Sequence, residues 1–324
     1  MTLFLFALLF FLGFFFIIKG SNLLVDTAIR LKNITRLNDV FIGATFVSVA
    51  TCLPELFISA FGAIGGDHGL AVGNSFGSLI FNMALVFGIY FLAEAKKNSG
   101  AGYKTKLLFF VVVFAVVALF SSNFNISWLE GLVLMFGFGV YLAFSIKQAN
   151  KTADFAETIK EKKNKGEIHK IILFFLIGQI FLVLGAWAIV YFGERISHLL
   201  AISESFLGLS LISLGTGLPE LITAIACLRK KQGGIGVGNI LGSSIINMTL
   251  LLGLCGAIGG LTGLGFAISR EVLFFDMPLI LLVCAVIATS FSKKLGRRWQ
   301  GFALLGLYII YIAWIFLQEF LYSI

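Results

Sequence analysis

The chain is poor in charge. Charged residues fill 12% of its 324 positions, hydrophobic residues fill 59%, and the mean hydropathy is +1.02. A soluble domain cannot bury that apolar excess, so a water-soluble fold is excluded and membrane helices are expected. Histidine is scarce. His68, His169 and His198 are the three present, all in loops or at the ends of apolar runs. No imidazole cluster is therefore available for zinc or for a hydrolytic triad. The four cysteines, Cys52, Cys227, Cys255 and Cys284, fall inside apolar runs and form no CxxC pair. That excludes a secreted disulfide framework and marks them as packing thiols. Proline is limited to Pro54, Pro219 and Pro278.

Long apolar runs are what the chain does have. Ten segments read as membrane helices: 2–25, 39–64, 70–93, 107–122, 126–146, 170–192, 205–228, 235–258, 272–291 and 299–320. The first lacks a basic n-region and an A-x-A site, so it reads as a retained helix and not a signal peptide. With ten spans, the loops after spans 1, 3, 5, 7 and 9 hold 21 of the 24 basic residues. The positive-inside rule makes that side cytoplasmic and puts both termini outside. Basic residues spread over loops, and not gathered on one face, exclude a nucleic-acid partner.

The chain also repeats itself without gaps. Gly20/Gly185, Thr51/Thr216, Pro54/Pro219, Glu55/Glu220, Asn74/Asn239, Ser78/Ser243 and Asn82/Asn247 are each separated by 165 positions. Between 41–88 and 206–253, 19 of 48 aligned positions are identical. Five spans per half is an odd number, so the second half enters from the opposite side. The fold class expected is an all-α membrane protein of ten helices in two inverted five-helix repeats, 1–147 and 171–324. A charged cytoplasmic linker, 148–170, joins them.

The doubled motif reads "ATCLPELFIS" at 50–59 and "GTGLPELITA" at 215–224. Each proline removes an N–H and crowds the carbonyl four residues back, so both helices are expected to loosen there. Glu55 and Glu220 sit deep in their spans, where a carboxylate costs about 2.5–3.5 kcal/mol on insertion scales. Ser48, Thr51 and Glu55 fall at i, i+3 and i+7, as do Ser213, Thr216 and Glu220, so each set shares a helix face. The second motif, "GNSFGSLIFN" and "GNILGSSIIN", places Ser78 with Asn82 and Ser243 with Asn247 four apart. The donors are carboxylates, hydroxyls, carboxamides and freed carbonyls, all oxygen. Hard cations such as Ca²⁺ and Na⁺ choose such donors, and two carboxylates neutralise one Ca²⁺.

Paired T-x-L-P-E-L and G-N-x-x-G-S-x-x-x-N motifs in two inverted halves resemble the sodium/calcium exchanger branch of the calcium:cation antiporters, in a compact prokaryotic form. The resemblance covers nearly the whole chain. It implies a Ca²⁺/Na⁺ antiporter with cation sites at the midplane and no resident cofactor. Carried over by position, Glu55 and Glu220 bind Ca²⁺ and share in Na⁺ sites. Thr51, Thr216, Ser48 and Ser213 offer carbonyl oxygens, Ser78 and Ser243 offer hydroxyls, and Asn82 and Asn247 flank the centre. The segments Thr2–Arg30 and Lys170–His198 would be the long helices that slide to switch access. A monomer in a prokaryotic plasma membrane is implied.

Three departures stand out. Cys52 and Gly217 replace a serine that often follows the threonine in this family, and both Asn82 and Asn247 are asparagine where many members carry one aspartate. Na⁺ coordination is thereby weakened more than Ca²⁺ binding, and a Ca²⁺/H⁺ antiporter is the alternative. An intramembrane enzyme is disfavoured, since Asp26 and Asp276 lack an evident partner. A passive channel is disfavoured by the inverted halves around deep glutamates.

Overall fold

The computed structural model describes residues 2–35, 37–94, 102–150, 162–200, 213–263, 265–289 and 297–322. Among these the chain is helical, with no strand beyond one isolated bridge between Asn125 and Ala267. In chain order the helices are α1 (Thr2–Thr35), α2 (Asp39–Thr51), α3 (Leu53–Gly65), α4 (His68–Ala93), α5 (Tyr103–Ser121) and α6 (Trp128–Asn150). They continue as α7 (Lys162–Leu200), α8 (Ser213–Arg229), α9 (Gly233–Leu261), α10 (Val272–Ala288) and α11 (Arg298–Tyr322). Seven are long and apolar enough to cross a bilayer, and α2 with α3 makes an eighth across a 47° bend. Each expected run overlaps a helix among the described residues. Residues 151–161 of the linker, 205–212 of the seventh run and 290–291 of the ninth lie outside the described residues.

Two expectations need correction. The first run does not stop near residue 25: α1 continues to Thr35, carried by Leu24, Val25 and Ala28, which are buried against the protein. The two prolines also act differently. Around Pro54 the helix breaks at Cys52 and α3 begins afresh, with the proline in its first turn, where a missing N–H costs nothing. Pro219 instead lies inside the continuous helix α8. α8 keeps its helical course there although the proline removes one backbone hydrogen bond.

α4 and α9 form the buried centre, while α1, α6 and α11 turn large apolar side chains outward, among them Phe4, Phe136 and Phe302. Such a surface suits lipid, whose tails are as apolar as those side chains. α1 and α7 cross antiparallel through glycines. A Cβ on Gly13 would sit 2.8 Å from the Gly185 carbonyl oxygen, and one on Gly20 would sit 2.8 Å from that of Gly178. The 165-residue offset takes Gly13 to Gly178 and Gly20 to Gly185, so the two pairs map onto each other. On the basic side, Lys32 pairs with Asp39 at 2.8 Å and Lys230 with Asp26 at 2.8 Å. These ties join α1 to α2 and to the turn after α8.

Four stretches among the described residues wind wider than an α-helix: Gly43–Val47 in α2, Phe81–Val86 in α4, Asn247–Leu251 in α9 and Val272–Asp276 in α10. A π-turn displaces carbonyls from the regular ladder and concentrates at functional sites. One such carbonyl, Ala44 O, accepts from Tyr141 Oη at 2.6 Å. Tyr141 is in turn covered by the Lys106 ammonium, 4.4 Å from the ring centroid, and Lys106 also reaches Ser145.

Candidate functional site

The break before α3 puts Glu55 in that helix's first turn, where the backbone N–H groups favour a negative charge. Glu220 approaches from α8. Both are fully buried, and they are electrostatic neighbours. Pro54 cannot donate to Ala50 O, nor Pro219 to Gly215 O, so each motif keeps a carbonyl without its helical donor.

Two hydrogen bonds lock the halves together by the same rule. Thr51 Oγ1 donates to Asn239 Oδ1 at 3.2 Å, and Thr216 Oγ1 donates to Asn74 Oδ1 at 2.9 Å. Adding 165 to Thr51 and Asn74 gives Thr216 and Asn239, so each bond maps onto the other. Thr51 Oγ1 also lies 3.4 Å from Ser243 Oγ and 3.3 Å from Ser48 O. Asn74 Nδ2 holds Glu55 O at 3.2 Å and Ser59 Oγ at 2.8 Å. Residue 224, which corresponds to Ser59, is alanine, and Asn239 Nδ2 has no partner among the described residues.

Of the expected site residues, Thr51, Glu55, Thr216, Glu220 and Ser243 are joined directly or through one neighbour. Ser48 is buried in the last turn of α2 and contributes its carbonyl to Thr51. Ser78, Asn82 and Asn247 are buried on α4 and α9. Ser213 opens α8, and its side chain lies outside the described residues. Among the described residues, eight of the fifteen buried side-chain atoms without hydrogen-bond partners belong to this set: both carboxylate oxygens of Glu55, Glu220 Oε2, Ser78 Oγ, and both amide atoms of Asn82 and of Asn247. Folded proteins leave few buried polar atoms unmatched, so a cluster of them marks a place made for something else. Among the described residues, no three His, Cys, Asp or Glu side chains converge on a metal position. A cation here must therefore draw on hydroxyl, carboxamide and carbonyl oxygens as well as the two carboxylates. That is the donor chemistry of Ca²⁺ and Na⁺.

The two departures in the motif have structural counterparts. Cys52 Sγ lies 3.7 Å from Glu220 Oε1 and 3.8 Å from Ser243 O, so the thiol points into the site as a weak donor. At Gly217 an added Cβ would meet the Phe81 ring at 2.8 Å. The ring fills the volume of the absent side chain.

Sequence reasoning does not single out Asn74 and Asn239 as site residues. Their signal was the G-N pair opening each second motif, at 73–74 and 238–239. Asn74→Ala strips a partner from Thr216, Ser59 and Glu55 O, and we expect a loss of about 1–3 kcal/mol in stability. Ala224→Ser gives Asn239 Nδ2 an acceptor and is expected to gain about 1 kcal/mol. Thermal unfolding of the purified variants measures both. An Asn74→Ala protein as stable as the parent would show that this clamp is incidental.

The sequence profile of the sodium/calcium exchanger protein family matches residues 5–147 and 170–317. The chain is 32% identical to an uncharacterized membrane protein of Methanocaldococcus jannaschii, over 94% of this chain and 96% of that one. It is 27% identical to the sodium/calcium exchanger MaX1 of Methanosarcina acetivorans, over 94% and 97% of the two chains. Among solved structures, the sodium-calcium exchanger NCX_Mj soaked with 10 mM Na⁺ and zero Ca²⁺ matches with a TM-score of 0.83 and 26% identity. That match covers 96% of this chain and 99% of the other. Doubled motif, helical membrane fold and full-length similarity agree, and the chain belongs to the sodium/calcium exchanger family.

Proposed function

We propose that the chain is a secondary active antiporter that exchanges Ca²⁺ for Na⁺ by alternating access at the site between Glu55 and Glu220. One observation carries this reading: two fully buried carboxylates with unpartnered oxygens, and unpartnered hydroxyl and carboxamide groups buried on α4 and α9, the helices packed against α3 and α8. Uncompensated, such a group is expensive in a low-dielectric interior, and a divalent cation offsets both charges at once. Ca²⁺ takes the two carboxylates, and Na⁺ takes the same cage with its carbonyls and hydroxyls.

The architecture proposed is ten spans in inverted repeats, 1–147 and 171–324, joined by the cytoplasmic linker 148–170. The self-related crossing of α1 with α7 and the paired Thr–Asn bonds support it. The positive-inside charge distribution supports termini outside, and the compact chain supports a monomer in a prokaryotic plasma membrane. Proton coupling is the second reading, favoured by Cys52, Gly217 and the Phe81 ring, which together remove two hydroxyls from the cage.

The test is ⁴⁵Ca²⁺ uptake into proteoliposomes loaded with Na⁺, diluted into Na⁺-free buffer at equal pH on both sides. Uptake that requires the outward Na⁺ gradient is expected. Uptake indifferent to Na⁺ but driven by a pH gradient would replace Na⁺ with H⁺ as the coupling ion.

A further inference from the structure

A second cavity, of about 690 Å³, lies between the start of α4, the start of α10 and the far part of α11. By the charge distribution these ends face away from the basic loops. Asp276 lines it, is 9% exposed, and has no hydrogen bond or ion pair among the described residues. An intramembrane carboxylate left in that state is costly and is a functional group by default. It takes no part in the cation cage. Its position in the first half, 165 residues earlier, is Val111, which faces outward. So Asp276 stands outside the doubled machinery.

The lining decides what Asp276 could hold. Glu271 and Asp67 border the same cavity, yet no three acidic, histidine or cysteine side chains among the described residues converge on one point. Asp67 is exposed and caps α4 by accepting from Leu70 N, and Glu271 is half-buried, so Asp276 is the one buried carboxylate of this lining and suits a single positive charge. Much of the remaining wall is apolar, with Leu70, Val72, Ile268 and Val272. Tyr311 and Trp314 add aromatic faces, and Trp314 Nε1 is buried without an acceptor. The volume lies in the range of small-molecule sites, which are mostly apolar with a few placed polar groups. A cation with an apolar body satisfies all three features. Its charge pairs with Asp276, its ring or chain covers the apolar wall, and the aromatic faces favour the cationic end.

We propose that this cavity binds an amphiphilic organic cation, one ammonium or amidinium on an apolar body, with Asp276 as the counter-ion. The free amine and the ammonium headgroup of a membrane aminolipid share that chemistry. Asn74 also borders the cavity, and the same side chain holds Thr216 and the Glu55 carbonyl. An occupant therefore touches the residue that positions the cage, and occupancy slows transport. That last consequence rests on the exchange function proposed above, whereas the binding does not.

The probe is 4-phenylbutylamine, with neutral 4-phenylbutanol as the control for partition into lipid. Binding is measured calorimetrically on the full chain in phosphatidylcholine nanodiscs. Saturable binding of one amine per chain is expected, weakened at least about tenfold in Asp276→Asn, with no Asp276 dependence for the alcohol. Ile315→Trp, which fills the cavity and leaves the carboxylate in place, is expected to lower affinity as well. It serves if Asp276→Asn does not fold. Repeating the titration in phosphatidylethanolamine nanodiscs separates the sources. Weaker apparent binding there identifies the aminolipid as the occupant, and unchanged binding identifies a free amine. Absence of saturable binding in phosphatidylcholine, or equal affinity in parent and Asp276→Asn, overturns the proposal. Amine binding in a protein that moves no Ca²⁺ would leave this site standing and remove the exchange reading alone.

Discussion

Glu55→Gln is expected to abolish Ca²⁺ uptake, and Glu220→Gln to do the same, while both proteins remain folded. The amide keeps the size and most of the shape of the acid, so packing around two fully buried positions changes little. What it removes is one of the two negative charges facing a divalent ion. Breaking one partner out of a buried charge pair typically costs about 3–5 kcal/mol, equivalent to roughly 10²–10³-fold in affinity or more. Stability should move the other way. Each carboxylate is desolvated and repelled by its neighbour, and several of its oxygens are unpartnered. Replacing either with a neutral group relieves that cost, so unfolding temperature should hold or rise. Initial rates of ⁴⁵Ca²⁺ uptake and thermal unfolding of the same preparations read both arms. Parent-like transport by either variant would falsify the two-carboxylate cage.

Gly43→Ala is expected to lower stability by about 3 kcal/mol or more. The added Cβ would fall 1.9 Å from the Ile235 carbonyl oxygen and 2.8 Å from the Asn239 amide nitrogen. Both are backbone atoms of α9, so no side chain can swing aside. Either α2 moves away or the wide turn at Gly43–Val47 rewinds. Overpacking of an ordinary core costs about 1–3 kcal/mol, and a rigid backbone contact lies at or beyond the upper end. Because Asn239 receives the Thr51 hydroxyl, transport should fall with stability. Gly139→Ala and Gly306→Ala are the matched controls, since nothing lies within 4 Å of a Cβ at either position. Size-exclusion yield and unfolding temperature measure the contrast. A Gly43→Ala protein indistinguishable from Gly139→Ala would show that the α2–α9 contact is looser than described.

The helices were legible because apolar runs of membrane length have few alternatives, and the loops between them collect the basic residues. Their ends were less so. α1 runs ten residues past the expected 25 with Val25, Ala28 and Thr35 buried and Ile29 and Leu31 half-buried against protein, a contact invisible in local hydropathy. The doubled P-E motif marked Glu55 and Glu220 directly, since a proline and an acid are each costly in a membrane span. The π-turns were not legible, because five residues of hydrophobic pattern cannot separate a wide turn from an α-turn. The unequal action of Pro54 and Pro219 was not legible either, because both sit in the same L-P-E-L motif. The cavity at Asp276 needed three distant chain segments to meet, so only the isolated acid was visible beforehand.

The inequality between Asn74, which has Ser59 to bond, and Asn239, which meets Ala224, bears on sidedness. Under the proposed alternating access, the inward-open form arises when the two halves trade conformations. A chain with identical halves would have two degenerate end states and would rest equally on both faces of the membrane. Each unmatched pair, Ser59 with Ala224, Cys52 with Gly217, Phe81 with Ile246, lifts that degeneracy. A net imbalance of about 1.4 kcal/mol already tilts the resting population tenfold, and the apparent ion affinity seen from the disfavoured face weakens in proportion.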